Sequence, residues 1–341
     1  MSSSRAAAER TDAADAATAD RSDKPRHRLP AVGLILLFGS FALLPLSVDI
    51  GLDPFFLVVA TRIMILAIAA LSLDFILGYG GLVSFGHAAF LGIGAYAVGI
   101  ASSHGAGDLL IQIPIAIAAS ALFALITGAI SLRTRGVYFI MITLAFGQMA
   151  YFLMVSLSAY GGDDGLTLAA RSTVFGQPWL ENDVAFYYLV FGFLLGTYLL
   201  ARTFIHARFG RVLRGTRDNA LRMNAIGFTP FNFRLTAYVI AGVMAGIAGT
   251  LLANQAEFVS PAYMTWQRSG ELIMMVVVGG MGTLTGGVVG AVVFMLLEET
   301  LSEFSQHWKL ALGIILIVIV LFGRGGVLGM LQKLARGRSR S

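Results

Sequence analysis

From residue 31 onward the chain alternates between apolar runs of roughly 20 residues, free or nearly free of charge, and short polar or glycine-bearing intervals. Runs of this length cross a hydrocarbon layer as helices, because a backbone without water must satisfy its polar groups internally. The pattern predicts spans over approximately 31–48, 55–77, 86–103, 109–131, 136–158, 184–205, 233–254, a long segment 271–297, and 308–323. The expected fold class is therefore an all-α polytopic membrane protein. It should have about 8–10 transmembrane helices with Gly-rich broken or re-entrant segments.

Two stretches disturb the pattern. Residues 73–92 read LDFILGYGGLVSFGHAAFLG, with glycines, an aspartate, a serine and a histidine where a span would carry Leu, Ile and Val. Segment 271–297 carries Gly279, Gly280, Gly282, Thr283, Thr285, Gly286 and Gly287 in its middle. Two short helices are expected to meet there and return the chain to the side it came from, each half too short for an upright span. Irregular backbone at membrane depth is tolerated where it is buried in protein or lines a water-filled path. The blocks near 78–94 and 279–290 occupy roughly corresponding places in the two halves of the chain, and paired glycine-interrupted segments point to a transport site. An internal duplication stays open, because the glycines after each leading pair do not align without a gap.

Composition agrees with the pattern. Of 341 residues 57% are hydrophobic and 13% charged, with a mean hydropathy of +0.79, against about a quarter charged in soluble domains. The absence of cysteine excludes disulfides, thiolate metal sites and Cys nucleophiles. Residues 1–29 are small, polar and charged and are expected to be a disordered tail. Lys24, Arg26, His27 and Arg28 stand directly before the first span as a cytoplasmic anchor. Arginine also collects at Arg133 and Arg135, at Arg208, Arg211, Arg214, Arg217 and Arg222, and with Lys333 in the C-terminal tail. The loops between are acidic: Asp163, Asp164, Glu181 and Asp183 against Arg171, and Glu298, Glu299 and Glu303. Alternating the two loop types predicts a cytoplasmic N-terminus and C-terminus. The net charge of +5 is then a topology signal and requires no nucleic acid. The domain plan is a tail over 1–29, a membrane domain over 30–325 with a cytoplasmic loop 206–234, and a basic tail over 326–341.

Glycines four apart, at Gly242 and Gly246 and at Gly282, Gly286 and Gly290, read as flat faces for close helix packing. Arg62 and Asp74 lie on roughly one face of the second span, either neutralised through neighbours or snorkelling to opposite interfaces. His87 either faces a pathway or bonds a freed backbone carbonyl, and Gln148 and Glu271 are further intramembrane polar positions to watch. In the loop HARFGRVLRGTRDNALRMNAIGFTPFNFR, residues 211–226 are expected to form one short helix stopped by Gly227, with Pro230 beyond. Val212, Leu213, Leu221, Ala225 and Ile226 would supply its apolar side. A helix that docks into a groove on a cytoplasmic partner explains this pattern better than contact with lipid headgroups. No phosphate loop, HExxH or GxSxG occurs, and the five histidines form no cluster, so neither an enzyme nor a metal site is expected.

The stretch GYGGLVSFGHAAFLGIGAYAVGI, the segment RTRGVYFIMITLAFGQMAYFLM leading to GGDDGLT, and the loop RGTRDNALRMNAIGF together resemble the LivM-type permeases of branched-chain amino acid ABC importers. AGVMAGIAGTLLA and VVVGGMGTLTGGVVGAVV resemble the same family, and the likeness runs from about residue 31 to 325. It implies a second, LivH-type permease, two cytoplasmic ATPase subunits and a periplasmic binding protein as partners, in a bacterial inner membrane. ATP would be used by those partners, with no cofactor held by this chain. It also implies an ATPase-coupling loop carried by Arg217, Asp218, Asn219, Arg222 and Gly227. Gly80, Gly81, Ser84, His87, Gln148, Gly279, Gly280 and Thr283 would then belong to a translocation path or gate. Ala220 stands where the family often has glutamate, and Leu221, Arg222 and Met223 fit the general coupling pattern of ABC permeases poorly. Related permeases carry urea, short amides or sugars, so those cargoes stay open, as does a stand-alone secondary carrier or channel.

Overall fold

The computed structural model describes residues 31–49, 53, 55–304, 307–322 and 325–330. The predicted N-terminal tail with its basic anchor, and residues 331–341 of the predicted C-terminal tail 326–341, lie outside them. The described residues are almost entirely helical: α1 (Ala31–Asp49), α2 (Phe55–Leu77), α3 (His87–Ser103), α4 (Leu109–Ser131), α5 (Val137–Ser156), α6 (Asp183–His206), α7 (Arg208–Asp218), α8 (Ala220–Ala225), α9 (Pro230–Ala256), α10 (Trp266–Gly279), α11 (Leu284–Phe304) and α12 (Trp308–Phe322). Among them α2, α4, α5, α6, α9 and α11 are long and apolar enough to cross a membrane, and α1, α3 and α12 contribute shorter apolar stretches. This is an all-α polytopic membrane protein.

Local chemistry sets the helix ends. Asp108 caps α4 by accepting from the Leu110 N–H, and Asn182 caps α6 by accepting from Val184 and Ala185. Pro45 lies inside α1 and has no N–H to give the Phe41 carbonyl four residues back. The Tyr187 hydroxyl of α6 donates to that carbonyl instead, at 2.6 Å.

The centre of the bundle is α2, in which every residue from Ile63 to Leu77 is buried. It packs against α9, α11, α6 and α10, while α9 also packs against α3 and α4. Close approach there depends on glycine. A Cβ on Gly94 of α3 would strike the Gly246 carbonyl of α9, and one on Gly249 would strike the Leu91 carbonyl. Gly242 leaves room for Ala124 and Phe90, and Gly246 for Ser120, so these two glycines do serve packing.

Segment 271–297 is interrupted where its glycines lie, and α10 and α11 pack against each other as a hairpin. One half is longer than expected: α11 has 21 residues and can cross alone, while α10 has only 14. Gly286 and Gly290 face α10, but Gly282 sits in the turn with φ +75°, off any helix face. The irregular stretches are also shorter than the glycine blocks. The first ends at Gly86, because α3 begins at His87, and the second covers only residues 280–283.

At one end of the bundle, residues 157–182 fold over the helix tips. Leu166–Thr167 pairs antiparallel with Phe258–Val259. The Ser172 hydroxyl donates to Gln112 Oε1 at 2.5 Å, and the Ser172 N–H donates to Asn254 Oδ1 at 2.7 Å. Arg171 staples the layer: it donates to the Leu180 carbonyl at 3.1 Å, pairs with Asp183 at 2.7 Å and Glu257 at 3.3 Å, and lies over the Phe186 ring. Both carboxylates are about half exposed, so solvent screens the pairs. Arg171→Met is therefore expected to cost about 1–2 kcal/mol, read as a lower melting midpoint of the purified protein in detergent. A midpoint equal to wild type would show that the staple contributes nothing.

Candidate functional site: two glycine breaks under a basic helix pair

The opposite end carries the arginines. Here α2 stops because Gly78, Tyr79, Gly80 and Gly81 favour a turn: the Gly80 N–H donates to Ile76 O at 3.0 Å and the Gly81 N–H to Leu77 O at 3.1 Å. Gly81 takes φ +69°, a conformation costly for any residue with a Cβ. The chain then runs without helix through Leu82–Gly86 back into the bundle. His87 opens α3 at the level of Ser72, with His87 Nε2 2.8 Å from the Ser72 hydroxyl. The Ser72 hydroxyl also lies 2.6 Å from the Ala69 carbonyl, to which it donates. His87 thus bonds a side-chain hydroxyl and not a freed carbonyl.

The second break meets the first. Gly280 has φ +115° and Gly282 φ +75°, and the Thr283 hydroxyl closes the turn on the Gly280 carbonyl at 2.7 Å. Asp74, fully buried, accepts from the Gly282 N–H at 2.8 Å, so α2 reaches across and holds the crown of the hairpin. Gly78 makes this possible, since a Cβ there would overlap both the Asp74 carboxylate and the Gly282 nitrogen. The chain beyond α12 joins the same point: a Cβ on Gly280 would lie 2.6 Å from the Gly325 carbonyl.

Arg217 of α7 completes the cluster by donating from Nη1 to the Gly78 carbonyl. It passes over Gly81, whose absent Cβ would be 2.9 Å from Arg217 Cγ. The α7 helix lies against the bundle through buried Val212, Leu213 and Thr216, and Arg234 Nη2 donates to the Thr216 carbonyl at 2.7 Å. Residues 211–226 are not one helix. Asn219 is extended, at φ −156°, and its side chain accepts from the Arg222 N–H at 2.9 Å. It therefore ends α7 and starts α8 at a bend. The predicted single apolar side divides accordingly: Val212 and Leu213 face inward, while Leu221, Ala225 and Ile226 of α8 and the turn after it are exposed. Gly227, at φ +89°, stops the helix as expected.

Arg217, Gly80, Gly81, Gly279, Gly280 and Thr283 come together in this cluster. Asp218, Asn219, Arg222 and Gly227 sit above it on the α7–α8 pair, with Asp218 and Arg222 exposed. Ser84 and His87 lie deeper and are fully buried. Gln148 is elsewhere, half-buried on α5, whose buried stripe is Phe139, Thr143, Gly147 and Ala150. Arg62 and Asp74 do not answer each other. Asp74 belongs to the breaks, whereas Arg62 stands far along α2, in the electrostatic neighbourhood of Arg268 and Glu298. Asp74 instead binds the backbone of the second break. Its signal is its position four residues before the first glycine of the break, which places its carboxylate over the vacant side of Gly78.

A cavity of about 180 Å³ lies beside the first break, lined by Gly81, Leu82 and Val83 and by Arg135 and Arg234. No group of three His, Cys, Asp or Glu able to hold a metal occurs among the described residues. The cluster joins backbone groups to charged side chains by hydrogen bonds. Comparison with known proteins identifies the family. A family described as branched-chain amino acid transport system / permease component matches residues 55–321. The chain belongs to that family. It is 28% identical over 309 residues to the high-affinity branched-chain amino acid transport system permease protein LivM of Salmonella typhimurium, covering 83% of this chain and 72% of the relative. The LivM protein of Escherichia coli matches with the same identity and coverage. The autoinducer 2 import system permease protein LsrC of Yersinia pseudotuberculosis is 24% identical over 251 residues, 68% of this chain and 66% of that relative. No solved structure matches the chain significantly. As a LivM-type permease the protein is a transport component of the ABC class, with its glycine breaks and basic helix pair inside the matched region.

Proposed function

We propose that this chain is one of two membrane-spanning subunits of an importer for leucine, isoleucine and valine. A periplasmic binding protein delivers the amino acid, and two cytoplasmic ATPases supply the energy. The observation that carries this reading is the uncovered tip of the α7–α8 pair. Leu221 is 74% and Ile226 61% exposed, although α7 is anchored by fully buried Leu213 and Thr216. An apolar knob held rigidly above a basic membrane face fits a groove on a soluble partner. The basic end is then cytoplasmic, which puts both termini inside and the layer stapled by Arg171 outside, in a bacterial inner membrane. Relatives named for branched-chain amino acids support the cargo. The relative named for autoinducer 2 keeps a different small polar cargo, such as urea or a short amide, as the second reading.

Uptake of radiolabelled leucine and of urea, in cells with and without this gene, tests the cargo. Leucine uptake lost on deletion and restored by the gene supports the proposal. Urea uptake lost with leucine untouched moves the cargo to the second reading. The docking surface has its own test: Leu221→Glu with Ile226→Glu is expected to abolish co-purification of the ATPase subunits while the protein still accumulates in the membrane. Undiminished capture by that variant sinks the docking surface.

A further inference from the structure

Arg217 does something that docking alone does not require. A residue serving only an ATPase contact would need no bond to the bundle, and Arg222 and Leu221 on α8 are simply exposed. Arg217 is exposed as well, yet it donates to the carbonyl of Gly78, at the end of α2. That carbonyl closes no helical hydrogen bond among the described residues, because the helix ends at Leu77 and the turn bonds run to Asp74, Ile76 and Leu77. Arg217 supplies the missing donor from the last turn of α7, the end that leads through Asn219 into α8 and the exposed tip.

Four residues back, one helical turn before Gly78, Asp74 holds the Gly282 N–H of the other break. It is also within electrostatic reach of Arg217. Three pieces far apart in sequence are therefore linked in series: the α7–α8 pair through Arg217, the Gly78 turn with Asp74, and the Gly282 crown. The links run through hydrogen bonds at glycine, where backbone can rotate without a side chain in the way. The cavity against Gly81, Leu82 and Val83 leaves the first break room to shift on one side, whereas a filled core would resist.

We propose that Arg217 is the transmission residue of this permease: its bond to the Gly78 carbonyl carries displacement of the α7–α8 pair into the first break, and Asp74 passes it to the second at Gly282. It is a positioning residue and touches no cargo. The inference rests on the importer reading above and goes beyond it by naming the mechanical link. When an ATPase moves α8, Arg217 pulls on the end of α2, and both breaks move together because Asp74 joins them.

The test uses the assembled transporter, with its second permease and ATPases, in proteoliposomes. Arg217→Gln is expected to keep assembly and basal ATP hydrolysis. Leucine uptake, and stimulation of hydrolysis by the loaded binding protein, should fall about tenfold or more, the effect of losing one charge-assisted hydrogen bond. Arg217→Lys keeps a single cationic donor and should restore part of the uptake. Arg211→Gln, on an exposed position of the same helix, should behave as wild type. Asp74→Asn combined with Arg217→Gln should transport no worse than Arg217→Gln alone, since both act in one chain of contacts. Because the chain has no cysteine, spin labels at Met281→Cys and Leu153→Cys report the crown directly. Trapping with a nucleotide analogue should change their distance in the wild type and leave it unchanged in Arg217→Gln.

Wild-type uptake in Arg217→Gln overturns the proposal, and so does an undiminished crown displacement. Loss of the ATPases from the Arg217→Gln complex overturns it too, by reducing Arg217 to a docking contact. Failure of the wild-type chain to capture any ATPase is a different result, and it refutes the importer reading itself.

Discussion

Gly290→Val should leave little properly folded protein in the membrane. Gly290 lies on the face of α11 that meets α10, and a Cβ there would overlap the carbonyl oxygen of Met275. One layer along, Gly279 of α10 has the same relation to the carbonyl of Gly286. Both contacts are backbone on backbone, so no rotamer change can absorb an added methyl group. Overpacking of a tight core costs about 1–3 kcal/mol and occasionally more; with two rigid helices in contact the upper end applies. Parting the hairpin also displaces its crown, which takes the Gly282 N–H away from Asp74 and leaves a buried carboxylate without its donor. The measurement is the yield of monodisperse protein in detergent together with its melting midpoint. Gly313→Val, on α12 where nothing lies within 4 Å of the added carbon, is the control and should match wild type. A stable Gly290→Val would mean that the hairpin is not held by close glycine packing.

Uptake should vanish, with insertion intact, when leucine replaces Gly81 or Gly280. The two positions need positive φ, +69° and +115°, and a β-carbon is strained in either by about 1–3 kcal/mol. Gly81 is exposed and residues 81–83 border a cavity, while Gly280 is buried and its nearest neighbour is the carbonyl of Gly325, in the segment after α12. The strain can therefore relax locally without breaking the bundle apart. What relaxes is the functional geometry. A side chain on Gly81 pushes Arg217 off its path to Gly78, and one on Gly280 pushes the crown from the Gly325 carbonyl. Transport assays alongside surface labelling or membrane fractionation separate the two effects. Normal uptake by both variants would remove the breaks from the mechanism.

Much of the bundle was readable from hydropathy alone. The predicted spans 55–77 and 109–131 coincide with α2 and α4, because uninterrupted apolar runs have one outcome in hydrocarbon. The site was only partly readable. Glycine content located both breaks but overestimated their length: Gly92 and Gly94 look like further irregularity, yet they belong to α3 and make room for Met264 and the Gly246 carbonyl. Composition cannot separate a glycine that turns the chain from one that lets helices touch. The single-helix reading of 211–226 failed for a related reason. Asn219 is a tolerable helix residue by propensity, and only its cap on Arg222 reveals that the chain bends there. Nor could periodicity pair Asp74 with Gly282, since that contact depends on how the two halves of the molecule meet.

The separation of that pair has a consequence for biosynthesis. Asp74 and Gly282 are 208 residues apart, so at bacterial elongation rates of about 5–20 residues per second the ribosome needs roughly 10 to 40 seconds to supply the second after the first. Through that interval the nascent first half sits in the bilayer with its carboxylate lacking its final donor. The last span must also arrive before Gly325 can close against Gly280. A prematurely terminated chain therefore carries an unfinished polar site within the membrane, a lesion that membrane proteases are suited to find.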